Sequence, residues 1–324
     1  MADATSVPST DNTLKGIGFL ALGVVIFSVQ DVIVKDLSGL YPVHEMLFIR
    51  SVVGFVPLAL VISATTGLGG FRVHPAAVLR GVVHFFSYSV YYLALSALPL
   101  AETVTLYYTN PLIITALSVP FLGENVGWRR WSAVGVGFVG VVVVLQPGVT
   151  EIQPAMLLAL LSACFYGVSM LITRRNAKAV SAPSFAIHSM VILAICAGLS
   201  GLVIGDGRFD GMDDRSAQFL LRAWSVPGWG DFLLLASCGL IAAIAFYLLS
   251  QAYRVAPASV ITPFEYSSLP TAVLFGYLFW GDLPGTATWA GLALIVGAGL
   301  YIVHREAVQG RRIVRGWPPM RPRL

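Results

Sequence analysis

Ten stretches of apolar residues, each about long enough to cross a lipid bilayer, dominate the pattern of the chain. They lie near residues 14–34, 43–63, 77–97, 101–122, 131–146, 154–173, 184–204, 231–253, 257–280 and 287–304. A transmembrane helix needs about 20 such residues. Because lipid offers the backbone no hydrogen bonds, continuous apolar runs predict helices rather than the strands of a barrel. The pattern predicts an all-α integral membrane protein with ten transmembrane helices.

Part of this pattern occurs twice, at an offset of 158 positions. The matching residues are Pro99 and Pro257, Tyr108 and Tyr266, Gly123 and Gly281, and Trp131 and Trp289. Each copy lies in a half of five stretches, and an odd number of spans inverts the second half relative to the first. We therefore predict two inverted five-helix repeats, at 14–147 and 154–304, between an amino-terminal tail (1–13) and a basic tail (305–324). Inverted repeats are typical of secondary transporters, which bind their substrate at the repeat interface.

The lysines and arginines favour one orientation of these spans. If the amino terminus is inside, fifteen of the 20 basic residues lie at inner ends, inner loops or the tails. Four lie outside (Lys35, Arg208, Arg215 and Arg222), and Arg50 lies within a span. An excess of basic residues on the cytoplasmic side is the usual bias of membrane proteins. We expect both termini in the cytoplasm and the protein in the inner (plasma) membrane of the cell.

Composition agrees with lipid as the solvent. Hydrophobic residues make up 57% and charged residues 11%, and the mean hydropathy is +0.80, whereas soluble domains carry about 25% charged residues. The run from Leu14 has the length of a membrane span rather than of a secretory leader. The three cysteines lie in apolar runs and predict core packing, not a disulfide or a metal site. No cofactor, metal or nucleic-acid partner is expected.

Residues 135–140 read Gly-Val-Gly-Phe-Val-Gly, which matches the dinucleotide-binding pattern GxGxxG. That fingerprint requires a preceding strand. Inside an apolar span, small residues instead let helices approach closely, so we interpret these glycines, with Gly291, Gly297 and Gly299 of the second half, as packing residues. The sequence shows neither a Ser/His/Asp order, a paired-carboxylate cluster nor an HExxH motif. An enzyme is not expected.

Aromatic residues inside the third span suggest a solute cavity. His84, Tyr88, Tyr91 and Tyr92 follow helical spacing and share one face. Such a stripe can stack a flat ring or hold a cation. Packing between helices is the alternative.

Proline interrupts the fourth and ninth spans at corresponding places. Residues 107–111 read Tyr-Tyr-Thr-Asn-Pro, and residues 263–270 read Pro-Phe-Glu-Tyr-Ser-Ser-Leu-Pro. Proline removes a backbone donor, and paired interrupted spans point to a binding site; a purely structural pair of kinks is the alternative. The substrate-binding residues predicted are Tyr88, Tyr91, Tyr107, Tyr108, Asn110, Glu265 and Tyr266.

Ionisable residues inside spans usually face a cavity or a partner. Glu265 is the deepest carboxylate predicted and a candidate for proton coupling or for binding an amine. Asp31, Arg50 and Glu102 are candidates for coupling or structural roles. Asp31 and Lys35 are four residues apart, which favours a local ion pair. Arg50 needs a counter-charge from Glu102 or Asp31, and the sequence does not choose between them.

Two loop features complete the pattern. Glu124 and Asp282 follow the fourth and ninth spans and are interpreted as caps of these turns. The outer loop 205–230 contains Phe219 with further apolar residues at helical spacing. This predicts a short helix on the membrane surface, with a solvated loop as the alternative.

The most diagnostic residues lie around the repeated turns. They are 98–102 (Leu-Pro-Leu-Ala-Glu), 110–112 (Asn-Pro-Leu), 122–131 (Leu-Gly-Glu-Asn-Val-Gly-Trp-Arg-Arg-Trp), 263–266 (Pro-Phe-Glu-Tyr) and 276–282 (Gly-Tyr-Leu-Phe-Trp-Gly-Asp). On these residues the chain resembles the EamA branch of the drug/metabolite transporter superfamily over nearly all of 14–306. It is most similar to the subgroup of S-adenosylmethionine and riboflavin transporters. It departs at 107–110, where small residues are commoner, and at Asp282, where Glu is usual.

The expected function is secondary transport of a small organic metabolite by alternating access through a central cavity. The resemblance and the aromatic residues favour S-adenosylmethionine or riboflavin, with an amino acid or an amine also open. A channel and a non-transporting assembly or sensor subunit are the alternatives. The partners expected are the solute and the bilayer, with a homodimer left open.

Overall fold

The computed structural model describes residues 10–65, 73–124, 126–149, 152–209, 211–255 and 262–315. Regular structure in these ranges is helical, without strands. The elements are α1 (Thr10–Leu37), α2 (Val43–Thr65), α3 (Pro75–Ala97), α4 (Leu100–Tyr107), α5 (Asn110–Leu122), α6 (Trp128–Leu145), α7 (Pro154–Arg175), α8 (Ala182–Ile204), α9 (Arg215–Leu221), α10 (Trp229–Val255), a 3₁₀ helix (Thr262–Ser267), α11 (Ser268–Trp280) and α12 (Thr286–Arg315). Residues 1–9 and 316–324 of the two predicted tails lie outside the described residues, as do Arg72 and Pro257.

Eight of these helices are long and apolar enough to cross a membrane: α1, α2, α3, α6, α7, α8, α10 and α12. They correspond to eight of the ten predicted stretches. The other two stretches are divided into shorter pieces. The fourth consists of α4 and α5, and the described part of the ninth consists of the 3₁₀ helix and α11. The all-helical membrane fold is confirmed, while ten spans in inverted repeats stay a prediction.

Both divided stretches break where the sequence places proline and polar residues. Pro111 occupies the first turn of α5, where its missing N–H leaves no helical hydrogen bond unmade. Asn110 and Ser268 begin α5 and α11, and each helix has 13 residues. The break therefore recurs at the same offset of 158 positions as the sequence motif.

The two helices also end alike. Gly123 and Gly281 follow them with φ of 68° and 69°, a left-handed conformation that glycine adopts without steric cost. The N–H of Glu124 donates to the carbonyl of Ser118, and the N–H of Asp282 donates to that of Gly276. These paired turns support the interpretation of residues 124 and 282 as caps. Glu124 also forms an ion pair with Arg174 at 2.7 Å.

The long helices pack against one another in pairs, and α3 has two long partners. It contacts α7 and α8, α10 contacts α1 and α2, and α6 pairs with α12. Glycine allows the closest crossings, because a Cβ at Gly54 would lie 2.9 Å from the Gly239 Cα. A Cβ at Gly140 would lie 2.9 Å from the Gly291 carbonyl oxygen. These contacts confirm the packing interpretation for Gly140, while Gly135 faces open space.

The described residues of the loop 205–228 fold over one end of the bundle and include the short helix α9. Phe219 is fully buried, and the Ser216 hydroxyl donates to the Leu93 carbonyl at 2.9 Å. The Trp224 ring lies over Gly201 and contacts the ring of Phe48 at a centroid distance of 5.5 Å. The predicted helix is present, but its apolar side packs on the protein instead of lying on the membrane surface.

Candidate functional site

A cavity of about 360 Å³ lies where α1, α3, α4, α7 and α10 converge on the two broken stretches. Its polar and aromatic lining consists of Ser28, Gln30, Asp31, Arg80, His84, Ser87, Tyr88, Tyr91, Tyr107, Tyr108, Tyr166, Glu265 and Ser268. We call it the first cavity. Its position at both breaks follows from the paired proline interruptions, because irregular backbone within a membrane is tolerated where it lines a cavity.

Tyrosines form one wall of the first cavity. The ring centroids of Tyr91 and Tyr107 are 5.0 Å apart, and those of Tyr107 and Tyr166 are 5.6 Å apart. On α3, the His84 and Tyr88 rings meet edge to face at 4.8 Å. Separations of 4.5–7 Å are typical of favourable aromatic pairs. The wall presents ring faces and hydroxyl groups suited to a flat organic solute.

Asp31 is the acidic group of α1 in this cavity. It accepts a hydrogen bond of 3.0 Å at Oδ2 from the Tyr91 hydroxyl. The neighbouring Gln30 donates through Nε2 to the Tyr92 hydroxyl at 2.8 Å. These two bonds join α1 to α3 and fix the direction in which the Asp31 carboxylate faces the cavity.

The two broken stretches meet at a tyrosine pair. The Tyr108 and Tyr266 rings lie 5.1 Å apart, tilted by 39°. The Tyr108 hydroxyl donates to the backbone carbonyl of Glu265 at 2.8 Å, and the Glu265 residue lines the cavity. The residues that the repeat places opposite each other are thus in contact.

A second cavity, of about 230 Å³, adjoins the first and shares Arg80, His84 and Tyr88 with it. It extends between α2, α3, α8 and α10 toward the end of α7 and the start of α8. Arg80 is held there by the Thr173 hydroxyl, which accepts from Nε at 2.8 Å, and by the Phe185 carbonyl. The Ser189 hydroxyl is a further acceptor for Arg80.

Arg50 also lines the second cavity, with only 4% of its surface exposed. Its guanidinium carbon lies 4.4 Å from the centroid of the Tyr88 ring. Within the described residues it forms no ion pair with either predicted counter-charge. Asp31 is bonded to Tyr91, and Glu102 accepts from the Thr288 hydroxyl at 3.3 Å.

The opposite end of the molecule is closed by contacts near Lys35. Its Nζ donates to the carbonyls of Leu95 and Leu98 at the end of α3 and lies 5.4 Å from the Trp280 ring. A cation at a helix carboxyl end is favourable. The predicted ion pair between Asp31 and Lys35 is therefore wrong, because each side chain bonds to α3 instead.

A second contact closes the same end. The Tyr41 hydroxyl donates to Asp231 Oδ2 at 2.6 Å. This bond raises the pKa of Tyr41, so the hydroxyl keeps its proton until the pH exceeds its ordinary value of about 10. The contact between the α1–α2 connection and α10 consequently persists at physiological pH.

Five of the seven predicted substrate-binding residues line the first cavity: Tyr88, Tyr91, Tyr107, Tyr108 and Glu265. Asn110 and Tyr266 are buried and lie outside the lining.

Several lining residues were not among the predicted site residues, and Arg80 and Tyr166 are two of them. Arg80 could have been found, because 80, 84, 88 and 91 follow one helical face of α3. Tyr166 is the lone tyrosine of the sixth stretch, a weaker signal of the same kind.

Comparison with known proteins adds a family and a fold. The model of the EamA-like transporter family matches residues 14–146 and again residues 153–304. A riboflavin transporter of Rhizobium johnstonii is 32% identical over 248 residues, which cover 76% of each chain. An S-adenosylmethionine uptake transporter of Rickettsia bellii is 27% identical over 296 residues, 90% of this chain and 94% of the relative.

A solved crystal structure has a similar fold. It matches with a TM-score of 0.58 and covers 94% of this chain and 99% of its own. The sequence identity is 18%, so the likeness shows the fold alone.

Proposed function

Because the chain belongs to the EamA-like transporter family and is a membrane transporter of the drug/metabolite type, we propose that the first cavity is its solute-binding site. The observation that carries this assignment is the convergence of both broken stretches on one cavity lined by tyrosines and two carboxylates. A cavity of about 360 Å³ lies in the range of small-molecule sites, about 300–1,000 Å³.

The proposed architecture is ten spans in two inverted repeats, residues 14–147 and 154–304. Two separate family matches support it, as does the equal offset of α5 and α11. In the proposed repeats, each span of the first half corresponds to the span five positions later in the second half. Under this correspondence α3 matches α10 and α1 matches α7. The pairs α3–α7 and α10–α1 are therefore equivalent, and both are in contact. The charge pattern of the sequence supports cytoplasmic termini and location in the inner membrane.

The closed end and the cavities support alternating access. Lys35, Tyr41 and the loop 205–228 cover the end that the charge pattern places outside. The second cavity extends from the first toward the opposite end, which the same pattern places inside. The conformation fits one in which solute exchanges with the cytoplasm while the outer route is closed.

The proposed substrates are flat organic metabolites, with riboflavin and S-adenosylmethionine as the first to test. The tyrosine wall supports a flat solute, because aromatic rings stack with one another. The names of the two relatives support these compounds in particular. Since the sequence shows no ATP-binding motif, we propose that an ion gradient, exchange or the solute gradient drives transport.

Purified protein in proteoliposomes tests the proposal. We expect time-dependent accumulation of labelled riboflavin or S-adenosylmethionine that saturates with concentration, and none in protein-free liposomes. Steady single-channel currents in a planar bilayer would identify a channel instead. Folded protein that moves neither solute and co-purifies with another subunit would identify an assembly or sensor role.

A further inference from the structure

The second cavity contains a buried cation, Arg50, that forms no ion pair within the described part of the chain. Nε and Nη1 of Arg50 are buried and have no hydrogen-bond partner among the described residues. The guanidinium carbon lies over the ring of Tyr88, 4.4 Å from its centroid. Burying a charge is costly unless the charge is paired and hydrogen-bonded. An unsatisfied arginine within a membrane span therefore indicates a partner that binds during function.

The surroundings of Arg50 select an anion as that partner. The described lining of the second cavity contains Arg50, Arg80 and His84 and no aspartate or glutamate. Nε and Nη1 of Arg80 donate to groups of α7 and α8, whereas Nε and Nη1 of Arg50 have no acceptor among the described residues. A guanidinium offers a planar fork that matches a carboxylate with two parallel hydrogen bonds.

The route to Arg50 comes from the solute site. Tyr88 belongs to the tyrosine wall and lines both cavities, and the Arg50 guanidinium lies over its ring. The acidic residues Asp31 and Glu265 line only the first cavity. A solute whose ring lies on the tyrosine wall would thus direct an anionic substituent away from these carboxylates and toward Arg50.

We propose that Arg50 binds a carboxylate of the transported solute, so that the substrate class is flat organic solutes that carry a carboxylate group. This inference rests on the proposed function, because it assigns a part of the same solute to the adjoining cavity. It favours S-adenosylmethionine, which has a carboxylate, over riboflavin, which has none.

Binding of matched probes to the full-length protein tests the proposal. The pairs are S-adenosylmethionine with its decarboxylated form and tryptophan with tryptamine, with riboflavin as a flat probe that lacks a carboxylate. We expect the wild type to bind a carboxylate member about 10- to 100-fold more tightly than its partner, as for hydrogen bonds to charged groups. Arg50→Met should abolish this preference, and Arg50→Lys should keep a part of it. Arg174→Met is the control, because Arg174 pairs with Glu124 outside both cavities.

The melting temperatures of wild type and variants without solute distinguish a binding role of Arg50 from a structural role. A buried charge without a partner destabilises the protein, so Arg50→Met should melt at the wild-type temperature or above it. A clear decrease in melting temperature, with the probe preference unchanged in Arg50→Lys, would show that Arg50 is structural and would overturn the proposal.

The remaining outcomes of these experiments also test the proposal. Equal binding within each pair, or a preference that survives in Arg50→Met, overturns the inference. So does Arg50-dependent stabilisation by sodium chloride or sodium phosphate alone, which would mean that Arg50 holds a free inorganic anion. If wild type and Arg50→Met transport riboflavin equally and neither binds a carboxylate probe, the inference is overturned and the proposed function stands. If no probe binds or crosses the membrane, the proposed function fails and the inference fails with it.

Discussion

At the scale of single residues, Tyr108 and Tyr266 occupy matching positions but have different surroundings. The Tyr108 hydroxyl donates to the Glu265 carbonyl. The Tyr266 hydroxyl is buried, without a hydrogen-bond partner within the described ranges, and its ring packs on Gly299. A hydrogen bond contributes about 0.5–1.5 kcal/mol, whereas an unsatisfied buried polar group costs about 1–3 kcal/mol. The Tyr108 ring is thus anchored through its hydroxyl group, whereas the Tyr266 ring acts mainly through packing.

Phenylalanine at each position should separate these effects. We expect Tyr108→Phe to lower the free energy of unfolding by about 1 kcal/mol. Tyr266→Phe should leave it unchanged or raise it, because the substitution removes an unpaired hydroxyl. Melting temperatures of the purified variants in detergent provide the measurement, and a larger decrease for Tyr266→Phe would contradict this account.

Glu265 is the carboxylate at the second break and lines the first cavity. We expect Glu265→Gln to lower solute uptake about tenfold or more, as when a contact to a charged group is lost, and to change the pH dependence of uptake. Glu124→Gln is the matched control, because Glu124 lies in the turn after α5 and pairs with Arg174. Unchanged uptake with an unchanged pH profile in Glu265→Gln would remove this residue from the mechanism.

At the scale of helices, the sequence could predict where the fourth and ninth stretches break. Proline lacks a donor in any surroundings, so Pro111 indicates the start of α5 without knowledge of its neighbours. The side of each divided stretch that faces the cavity was harder to predict. Tyr266 lies in the 3₁₀ helix Thr262–Ser267, which turns by about 120° per residue instead of 100°, so its match to Tyr108 in the repeat does not fix the side that its ring faces.

Long side chains limited the prediction in another way. The sequence places Asp31 one turn from Lys35, but a lysine reaches several ångströms beyond its helix. Lys35 bonds to carbonyls at the end of α3, at least 60 positions away. Such partners depend on which helices are neighbours, and the local pattern does not contain that information.

The crossing of α6 and α12 allows a prediction with its own control. A Cβ at Gly140 would meet backbone and side-chain atoms of α12 at 2.8–3.0 Å, so we expect Gly140→Ala to destabilise the protein by about 1–3 kcal/mol. Gly135 lies on the same helix, and a Cβ there would have no neighbouring atom within 4 Å, so Gly135→Ala should be tolerated. The two melting temperatures should therefore differ, and equal values would contradict the packing interpretation.

At the scale of the whole molecule, the number of spans decides which side of the membrane each loop occupies. Val149 and Val226 are 82% and 95% exposed, and Trp128 is 74% exposed. With ten spans and an inner amino terminus, positions 149 and 226 lie outside and position 128 lies inside. If the divided fourth stretch did not cross, positions 128 and 149 would exchange sides.

Cysteine labelling distinguishes these arrangements. In a variant with the three native cysteines replaced by alanine, we expect a membrane-impermeant maleimide to modify Val149→Cys and Val226→Cys on intact cells. Trp128→Cys should react only after the cells are permeabilised. Labelling of Trp128→Cys on intact cells would contradict ten spans.

The glycine crossings also have a mechanical consequence. Where backbones approach closely, at Gly54 with Gly239 and at Gly140 with Gly291, no side chain can yield, so we expect each helix pair to move as one body. The flexibility of the molecule is then expected to be concentrated at the two breaks, where the helical hydrogen bonding is already interrupted. Elastic deformation of the molecule should accordingly be greatest beside its solute site, so that a small force applied by a bound molecule is converted there into the largest displacement.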